Sequence, residues 1–536
     1  MKLKILLFLI IFLGFILRNW NLDKFPATLY GDEQAFGWNA YNILKTGTDE
    51  YGTRYPWQFR SFDDYKAPVP VYILVPFIKW LGLNSFAIRL PIVLASVMTL
   101  LITYLLTRSF LNMKVSLIVT FLLAVSPWHI HLSRGFFEAT LALLWFILGI
   151  YFFIKKGKKI TYLLISMLFF ALSLYSYFVP RILVPLMLIF LVYYGRKFLK
   201  GSLKLHIFGF FFLAILVLPL IKFSVFDQGF SRFNKLTQAN ELTVVQTVIK
   251  ERNASNLPEN WRILLHNKPL VWIRLIKNNF LDHLSPNFWY LYGDNSLRYF
   301  TGNMGMFYLL EFPVLIIGLY SLWKNKREAA VFFLGWIILA SIPASLVGRP
   351  FAVRSLMMLP APFVFVAYGI YKLLRYSKRL SCKELLPGVV TIGFIISIGS
   401  LLVRYYLEYP VYAATWWGWE NKTALDFAKE RESLYDNIFI SDFYTGSTLA
   451  FAVYNQYDPV EYRYAINHPV TLADGRSFIK LGKYYFGSLD INPARANQNI
   501  IPAKSLYIAR PEEADSSETI NAPDDGRVIF KIYKTK

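Results

Sequence analysis

Apolar residues in this chain come in long unbroken runs, not in the narrow stripe of a surface helix. Eleven runs stand out, near 5–17, 87–107, 115–130, 137–154, 160–178, 181–194, 205–221, 305–323, 329–347, 355–374 and 385–403. A helix of about 20 apolar residues spans a bilayer, so the pattern predicts an α-helical polytopic membrane protein with about 11 transmembrane helices. The run at 181–194 is short for a full span and fits a tilted or re-entrant helix. The first run follows Lys2 and Lys4 and ends at Arg18-Asn19-Trp20, which offers no small-residue cleavage site. It reads as a retained signal anchor.

The polar segments between runs set an orientation. With the N-terminus in the cytoplasm, the inner segments are Lys2/Lys4, Arg108 to Lys114, Lys155 to Lys159, Arg196 to Lys204, Lys324 to Arg327 and Lys372 to Lys383. Each is basic and none contains an acid. Short cytoplasmic loops are expected to be basic, so the alternation supports this orientation in a plasma membrane, and an odd span count leaves residues 408–536 outside.

Three extramembrane pieces then face outward: a first loop at about 20–86, a larger loop at about 222–304, and the tail. The transmembrane part is residues 1–407. In the first loop Phe36, Trp38, Ala40, Tyr41, Ile43 and Leu44 suggest an amphipathic helix on the membrane surface, and Val71 to Leu81 a second. The large loop has helical patches such as Leu270 to Leu281. The tail alternates strand-like runs at Asn437 to Ser441, Ser505 to Ala509 and Arg527 to Tyr533 with a helical stretch at Asn421 to Glu432. That mixture predicts a small extracytoplasmic α/β domain. Trp416-Trp417-Gly-Trp419, just after the last run, reads as an interfacial aromatic anchor.

Composition agrees: 55% of the 536 residues are hydrophobic and 17% charged, against about 25% charged in soluble proteins. The net charge of +23 raises the question of nucleic acid. Residues 408–536, however, hold 14 Lys+Arg against 17 Asp+Glu, so the basic excess belongs to the membrane part and no nucleic-acid partner is expected. A single cysteine, Cys382, excludes an intramolecular disulfide and a Cys-rich metal site.

Charge on the outer side is the feature to follow. Arg134, Arg181, Arg349 and Arg354 sit beside predicted spans, facing outward. Snorkelling to lipid phosphates explains one such arginine; four invite a phosphate-binding reading, since guanidinium presents a planar fork of donors. The first loop supplies acids in Gly31-Asp32-Glu33 and Asp63-Asp64-Tyr65-Lys66-Ala67-Pro68. Taken alone, Asp32 is an ordinary helix N-cap and Lys66 a solvated lysine. His129 and His131 do not share a helix face, which argues against a metal pair.

The order of these features resembles the C-type (GT-C) membrane glycosyltransferases, in particular the protein O-mannosyltransferase and lipid A aminoarabinose transferase group. The likeness runs over about residues 1–376. Its carriers are the Asp32-Glu33 loop, Lys66-Ala67-Pro68, Leu81-Gly-Leu-Asn-Ser-Phe-Ala-Ile-Arg89-Leu-Pro91, Ser133-Arg134 with Glu138, Tyr175-Ser-Tyr177-Phe-Val-Pro-Arg181, His283-Leu-Ser285-Pro286 with Gly293-Asp294 and Arg298, and Arg354 with Pro360. Ser355 stands where many members carry tyrosine.

The resemblance implies an inverting glycosyltransferase of the hexosyl or pentosyl class. It would move a sugar from a polyprenyl-phosphate donor to a protein, lipid or envelope-glycan acceptor outside the membrane. By resemblance Asp32 is the catalytic carboxylate and Lys66 a donor-phosphate ligand, while Glu33, Arg134 and Glu138 fall at substrate-site or site-organising positions. Arg181, Arg298, Arg349 and Arg354 are further substrate-contact candidates. No cofactor is required, because Lys and Arg can hold a single phosphate; a divalent metal is left open. Two rival classes are a secondary transporter, which tends to show paired repeats and broken midplane helices, and a non-catalytic envelope assembly protein. No repeat is visible here.

Overall fold

The computed structural model describes residues 2–62, 64–155, 159–194, 203–226, 230–377, 384–444, 446–472, 475–489 and 501–535. The basic segments at 156–158, 195–202 and 378–383, with Cys382, and Asp63 lie outside the described residues. Each of the eleven apolar runs is helical over most of its length. Among the described residues, four helices are long and apolar enough to cross a membrane by length and composition: Ser85–Arg108, Glu138–Lys155, Arg327–Val347 and Leu385–Tyr412. A fifth is the pair Ala352–Met358 and Ala361–Ser377, bent by 58°. Two runs expected as single spans are thus broken, and proline breaks them. A proline lacks the N–H that the preceding turn needs. Pro360 stands at the bend of that pair, and Pro127 opens a new helix, Pro127–His131, whose cap Ser126 accepts from the His129 N–H at 3.3 Å. The run at 115–130 is therefore Met113–Val125 followed by a short turn.

The chain divides into two compact units. The first comprises residues 1–18, 92–133 and 137–401; the second comprises residues 19–91, 134–136 and 402–536. In the first unit the apolar helices pack closely on one another. Helix Glu311–Asn325 lies tight on Ala361–Ser377, where Gly318 and Gly369 let the two backbones meet; a Cβ on Gly318 would stand 1.8 Å from the Phe365 carbonyl oxygen. The large-loop segment forms Phe230–Ala254, Glu259–Leu265 and Lys268–His283, with Val244, Val248 and Val271 as a small core between the first and last.

The second unit joins the first loop to the tail. Its centre is the helix Gly31–Thr46, closed by Gly47 in the left-handed region (φ 70°), whose N–H reaches the Ile43 carbonyl. Every residue from Glu33 to Ile43 is buried. The surface amphipathic helix expected here is instead enclosed. Helix Pro68–Leu81 packs along it, and Gly37 admits the Ile88 side chain, which would lie 2.5 Å from an added Cβ. Between these helices comes a hairpin, β1 (Phe59–Ser61) and β2 (Asp64–Lys66), paired antiparallel with Phe59 opposite Lys66 and Ser61 opposite Asp64. Pro68 then sits at the first helical turn, which ends β2 at Lys66.

The tail folds as a seven-stranded mixed sheet with helices. Its strands are β3 (Asn437–Ile440), β4 (Val470–Thr471), β5 (Ser477–Leu481), β6 (Tyr484–Phe486), β7 (Ser505–Ala509), β8 (Thr519–Asn521) and β9 (Val528–Lys534), in the order β4-β5-β6-β3-β7-β9-β8. The central β3 runs parallel to both neighbours, and β7 is buried at every position, as a strand covered on both faces should be. Helices Trp419–Glu430, Ser447–Tyr454 and Pro459–Asn467 complete the domain.

The tail also holds the first loop. Thr28 Oγ1 donates to the Trp417 carbonyl at 2.5 Å, the Leu29 N–H donates to Tyr454 Oη at 3.1 Å, and Arg463 donates to Thr48 Oγ1 at 2.8 Å. Trp38 meets Tyr462 edge to face at 5.0 Å. Trp417 is 1% exposed, and its indole N–H donates to Tyr409 Oη at 2.6 Å. The interfacial-anchor expectation therefore fails for Trp417, which is a core residue of this unit.

Candidate active site

Two neighbouring acids open the Gly31–Thr46 helix and do different things. Glu33 is completely buried. It accepts from Arg89 twice, Nε to Oε1 at 2.9 Å and Nη2 to Oε2 at 3.0 Å. It also accepts the Phe136 N–H at 2.8 Å and the Tyr30 N–H at 3.3 Å. Arg89 spends its remaining donors on the carbonyls of Leu22, Pro26 and Thr28. Two desolvated charges are tolerable inside a protein only when paired and fully hydrogen-bonded, and this pair is. It ties the loop entering the helix to the start of Ser85–Arg108.

Asp32 points the other way. Tyr30, not Asp32, is the N-cap residue, so Asp32 stands in the first turn, where the helix dipole favours a negative charge. Its Oδ1 accepts from Lys66 Nζ at 2.5 Å. Lys66 is 8% exposed and Asp32 37%. The lysine stem is sheathed, and the carboxylate opens to solvent. Asp64 Oδ2 lies 3.7 Å from the same ammonium, and the Phe36 ring 6.0 Å from it. The β1–β2 hairpin sets this position, because it returns Lys66 beside the helix start 34 residues earlier. An ammonium beside an exposed carboxylate can take an anion, and that carboxylate can accept a proton.

Arg134 is buried and grips backbone: its Nη2 donates to the carbonyls of Trp20 at 2.6 Å and Phe25 at 2.9 Å, and its guanidinium lies over Tyr406 at 5.1 Å. Asp32, Glu33, Lys66 and Arg134 thus fall in one unit. Glu138, Arg181, Arg298, Arg349 and Arg354 fall in the other. Glu138 begins the helix Glu138–Lys155. Arg181 lines an apolar groove of about 540 Å³ with Val184, Leu188, Leu213 and Val217. The Arg298 carbonyl meets His131 Nε2 at 2.9 Å. Arg354 lies over Phe351 at 4.5 Å, and Phe351 packs on Tyr299 at 4.5 Å, so the Arg298 and Arg354 segments adjoin. Asp294 braces that place by accepting the Ala352 N–H at 2.6 Å; burial raises its carboxyl above the ordinary range. Arg349 is exposed.

His129 and His131 are both fully buried. His129 Nδ1 meets Arg18 Nη2 at 2.8 Å, and among the described residues no group of three His, Cys, Asp or Glu is placed to hold a metal ion. Three residues gained importance only in three dimensions. Arg18 is fully buried and donates to Gly14, Leu123 and Ala124 carbonyls. Arg89 interrupts an apolar run, a signal that an ionisable group at membrane depth deserves a partner. Glu50 carried no sequence signal.

With this geometry in place, the chain can be set beside known proteins. Residues 65–222 match the model of the dolichyl-phosphate-mannose-protein mannosyltransferase family. No curated protein matches the chain. Among solved structures, ArnT from Cupriavidus metallidurans in the apo state is 11% identical, covering 99% of this chain and 97% of that one, with a TM-score of 0.51. The fold is that of the C-type membrane glycosyltransferases. ArnT bound to undecaprenyl phosphate matches at 12% identity over 86% of this chain and 76% of that one, TM-score 0.45. The oligosaccharyltransferase AglB from Archaeoglobus fulgidus, in complex with an inhibitory peptide and a dolichol-phosphate, is 14% identical over 86% of this chain, TM-score 0.49. The chain spans 64% of the length of that archaeal protein. The enzyme class read from the sequence, a glycosyltransferase, is the class of the matched family model.

Proposed function

We propose that this protein transfers a sugar, with inversion, from a polyprenyl-phosphate donor to an acceptor hydroxyl on the outer side of the membrane. The observation that carries the reading is the pair Asp32–Lys66: a solvent-facing carboxylate 2.5 Å from a sheathed ammonium. The family-model match over 65–222, which begins beside Lys66, and the ArnT-like fold support the donor class.

The step follows from the charges. Donor phosphate binds Lys66 and shares the ammonium that Asp32 holds in the free protein. Asp32, relieved of part of that interaction, takes the proton from the acceptor hydroxyl as its oxygen bonds to the anomeric carbon. The bond from that carbon to the phosphate oxygen breaks, and its electron pair stays on the phosphate. Lys66 stabilises the growing charge there, a contribution of about 3–4 kcal/mol for a well-placed group. Glu33, Arg89 and Arg134 act as positioning residues by fixing the backbone on either side of the helix start. Arg181, Arg298, Arg349, Arg354 and Glu138 are assigned to substrate contacts in the helical unit.

Asp32→Asn keeps the side-chain shape but removes the base. Turnover should fall about 10²-fold or more while donor binding changes little. Lys66→Ala should weaken donor binding and also slow turnover, with partial rescue by Lys66→Arg. Normal specific activity in purified Asp32→Asn would overturn the assignment. Sidedness is checked separately in a Cys382→Ser background. An impermeant thiol reagent on intact cells should label a cysteine placed at Ser517, an exposed residue of the tail, and spare one at Gly157.

A further inference from the structure

The helices of the large loop leave one apolar face uncovered. On Lys268–His283, Val271, Trp272 and Leu275 pack toward Val244 and Val248 of Phe230–Ala254. At about 100° per residue, the opposite side of the helix carries Leu270, Ile273, Ile276, Lys277, Phe280 and Leu281. That stripe is apolar apart from Lys277, and Ile273 is 63% exposed. The preceding helix, Glu259–Leu265, buries no residue; its Trp261 is 57% exposed, and Leu264 and Leu265 are exposed beside it. Other charges turn toward Phe230–Ala254, where Arg274 pairs with Glu251, and Lys268 with Glu241 at 3.2 Å. A contiguous apolar surface of this kind marks a place of contact.

The neighbouring helix identifies what makes that contact. Asn279 Nδ2 donates to the Ser345 carbonyl at 3.1 Å, which fixes Lys268–His283 to the end of Arg327–Val347, a helix long and apolar enough to cross a membrane. Ile273, Ile276, Lys277 and Phe280 line a groove of about 320 Å³ with Ile342 and Ser345. The exposed stripe of Arg327–Val347 runs through Val331 and Ile338 and reaches Ile342 one turn later. The apolar faces of the two helices are therefore continuous. Arg327–Val347 has 21 residues, about 31 Å at 1.5 Å per residue, which matches a hydrocarbon core of about 30 Å. Ile342 stands a little over one turn from its end, about 8 Å inside. An interfacial amphipathic helix buries its apolar face to a similar depth, about 5–10 Å.

We propose that Glu259–Leu265 and Lys268–His283 dock on the phospholipid surface, in the leaflet at the Val347 end of Arg327–Val347. The stripe through Leu270, Ile273 and Phe280 lies among acyl chains. Trp261 sits at the headgroup boundary, where indole rings settle, and Lys277 extends along the groove to the phosphate layer. The contact holds more than a loop. The His283 carbonyl accepts the Trp289 indole N–H at 2.8 Å, and the chain runs on to Asp294, which accepts the Ala352 N–H. The membrane thereby anchors the segment that carries Arg298 and Arg354. Nothing in this docking depends on the sugar-transfer reading.

The test uses the full chain with Cys382→Ser, in nanodiscs of phosphatidylcholine and phosphatidylglycerol without polyprenyl lipid. Spin labels are attached singly at Leu264→Cys, at Ile273→Cys and at Asp282→Cys, an exposed position on the other side of the second helix. Molecular oxygen concentrates among acyl chains, and a neutral nickel chelate stays in water. Collisions with oxygen should exceed those with nickel at 264 and 273, and the order should reverse at 282. Nickel ahead of oxygen at 264 or 273 means a face open to water and overturns the docking. Shielding of 273 from both reagents means a protein cover, such as a second copy of the chain, and overturns it equally. Immersion that appears only after polyprenyl phosphate is added assigns the face to that lipid and overturns the phospholipid assignment.

Discussion

Asp32 and Glu33 are consecutive residues of one helix turn, and each meets a basic side chain, yet the two pairs are built to opposite ends. Glu33–Arg89 is sealed: both side chains are 0% exposed, and each oxygen of the carboxylate accepts two hydrogen bonds. Asp32–Lys66 is open, with a carboxylate 37% exposed and the cation within reach of a second acid, Asp64. A saturated buried pair has nothing left to offer a substrate and much to lose if broken. An open pair contributes little to stability, and its members remain available for exchange. Two consecutive residues of one helix turn therefore carry a sealed charge pair and an open one, and solvent access makes the difference.

The comparison can be broken most directly at its sealed end. Removing one partner of a buried pair strands the other charge, at about 3–5 kcal/mol. Arg89→Ala and Glu33→Gln should each cost that much in thermal or denaturant unfolding of the detergent-solubilised protein, or abolish its accumulation. A loss under about 1 kcal/mol for both would remove the contrast. Next in size is the link between loop and tail. Tyr454→Phe leaves the buried Leu29 N–H without its acceptor, and an unsatisfied buried donor costs about 1–3 kcal/mol. Asp32→Asn should then sit at the small end for stability, about 1 kcal/mol or less, despite its large loss of turnover. Equal stability losses in Asp32→Asn and Glu33→Gln would mean the two acids are alike after all.

The smallest effect is a matter of pH. Glu50 is clamped by Asn39, whose amide oxygen accepts the Glu50 N–H at 3.1 Å, and burial disfavours its charge. It holds its proton up to about pH 7 in the folded chain, against 4.5 for the ordinary carboxyl. The folded state therefore binds more protons than the unfolded one across that interval, and stability falls as pH rises from 4.5 to about 7 and then levels. Glu50→Gln has no proton to keep. Its melting temperature should gain on wild type through that interval and hold a constant lead above it. A lead that is the same at all pH values would mean Glu50 stays charged throughout.

Much of the fold was legible in local pattern. The eleven apolar runs became helices, and the tail strands at 437–440, 505–509 and 528–534 lie within a residue or so of their expected limits. The helix at 419–430 was also readable, whereas Ser447–Tyr454 and Pro459–Asn467 were not, since neither carries a sustained period. The enclosed state of Gly31–Thr46 was misread for a different reason. Its aromatic and aliphatic residues announce burial, but in a membrane protein the bilayer and the protein interior look the same to an apolar side chain. Trp417 was misread on the same ground.

Hydropathy and the sign of loop charge act over a few residues, so the sequence alone determined where helices form and which acids and bases lie near span ends, whereas Pro127 and Pro360 break their runs and Pro91 and Pro343 sit inside unbroken helices. Which charge meets which is a different kind of fact. Glu33 finds Arg89 across 56 residues, Lys66 returns to Asp32 across 34, and Arg134 reaches back to Trp20 across 114. Glu50 and Arg463 were silent in sequence because a surface acid and a surface base are written with the same letters as a clamped one. Burial and partner, not residue type, decide whether a charge is structural, reactive or able to hold a proton at neutral pH. Those two quantities exist only once distant segments have packed.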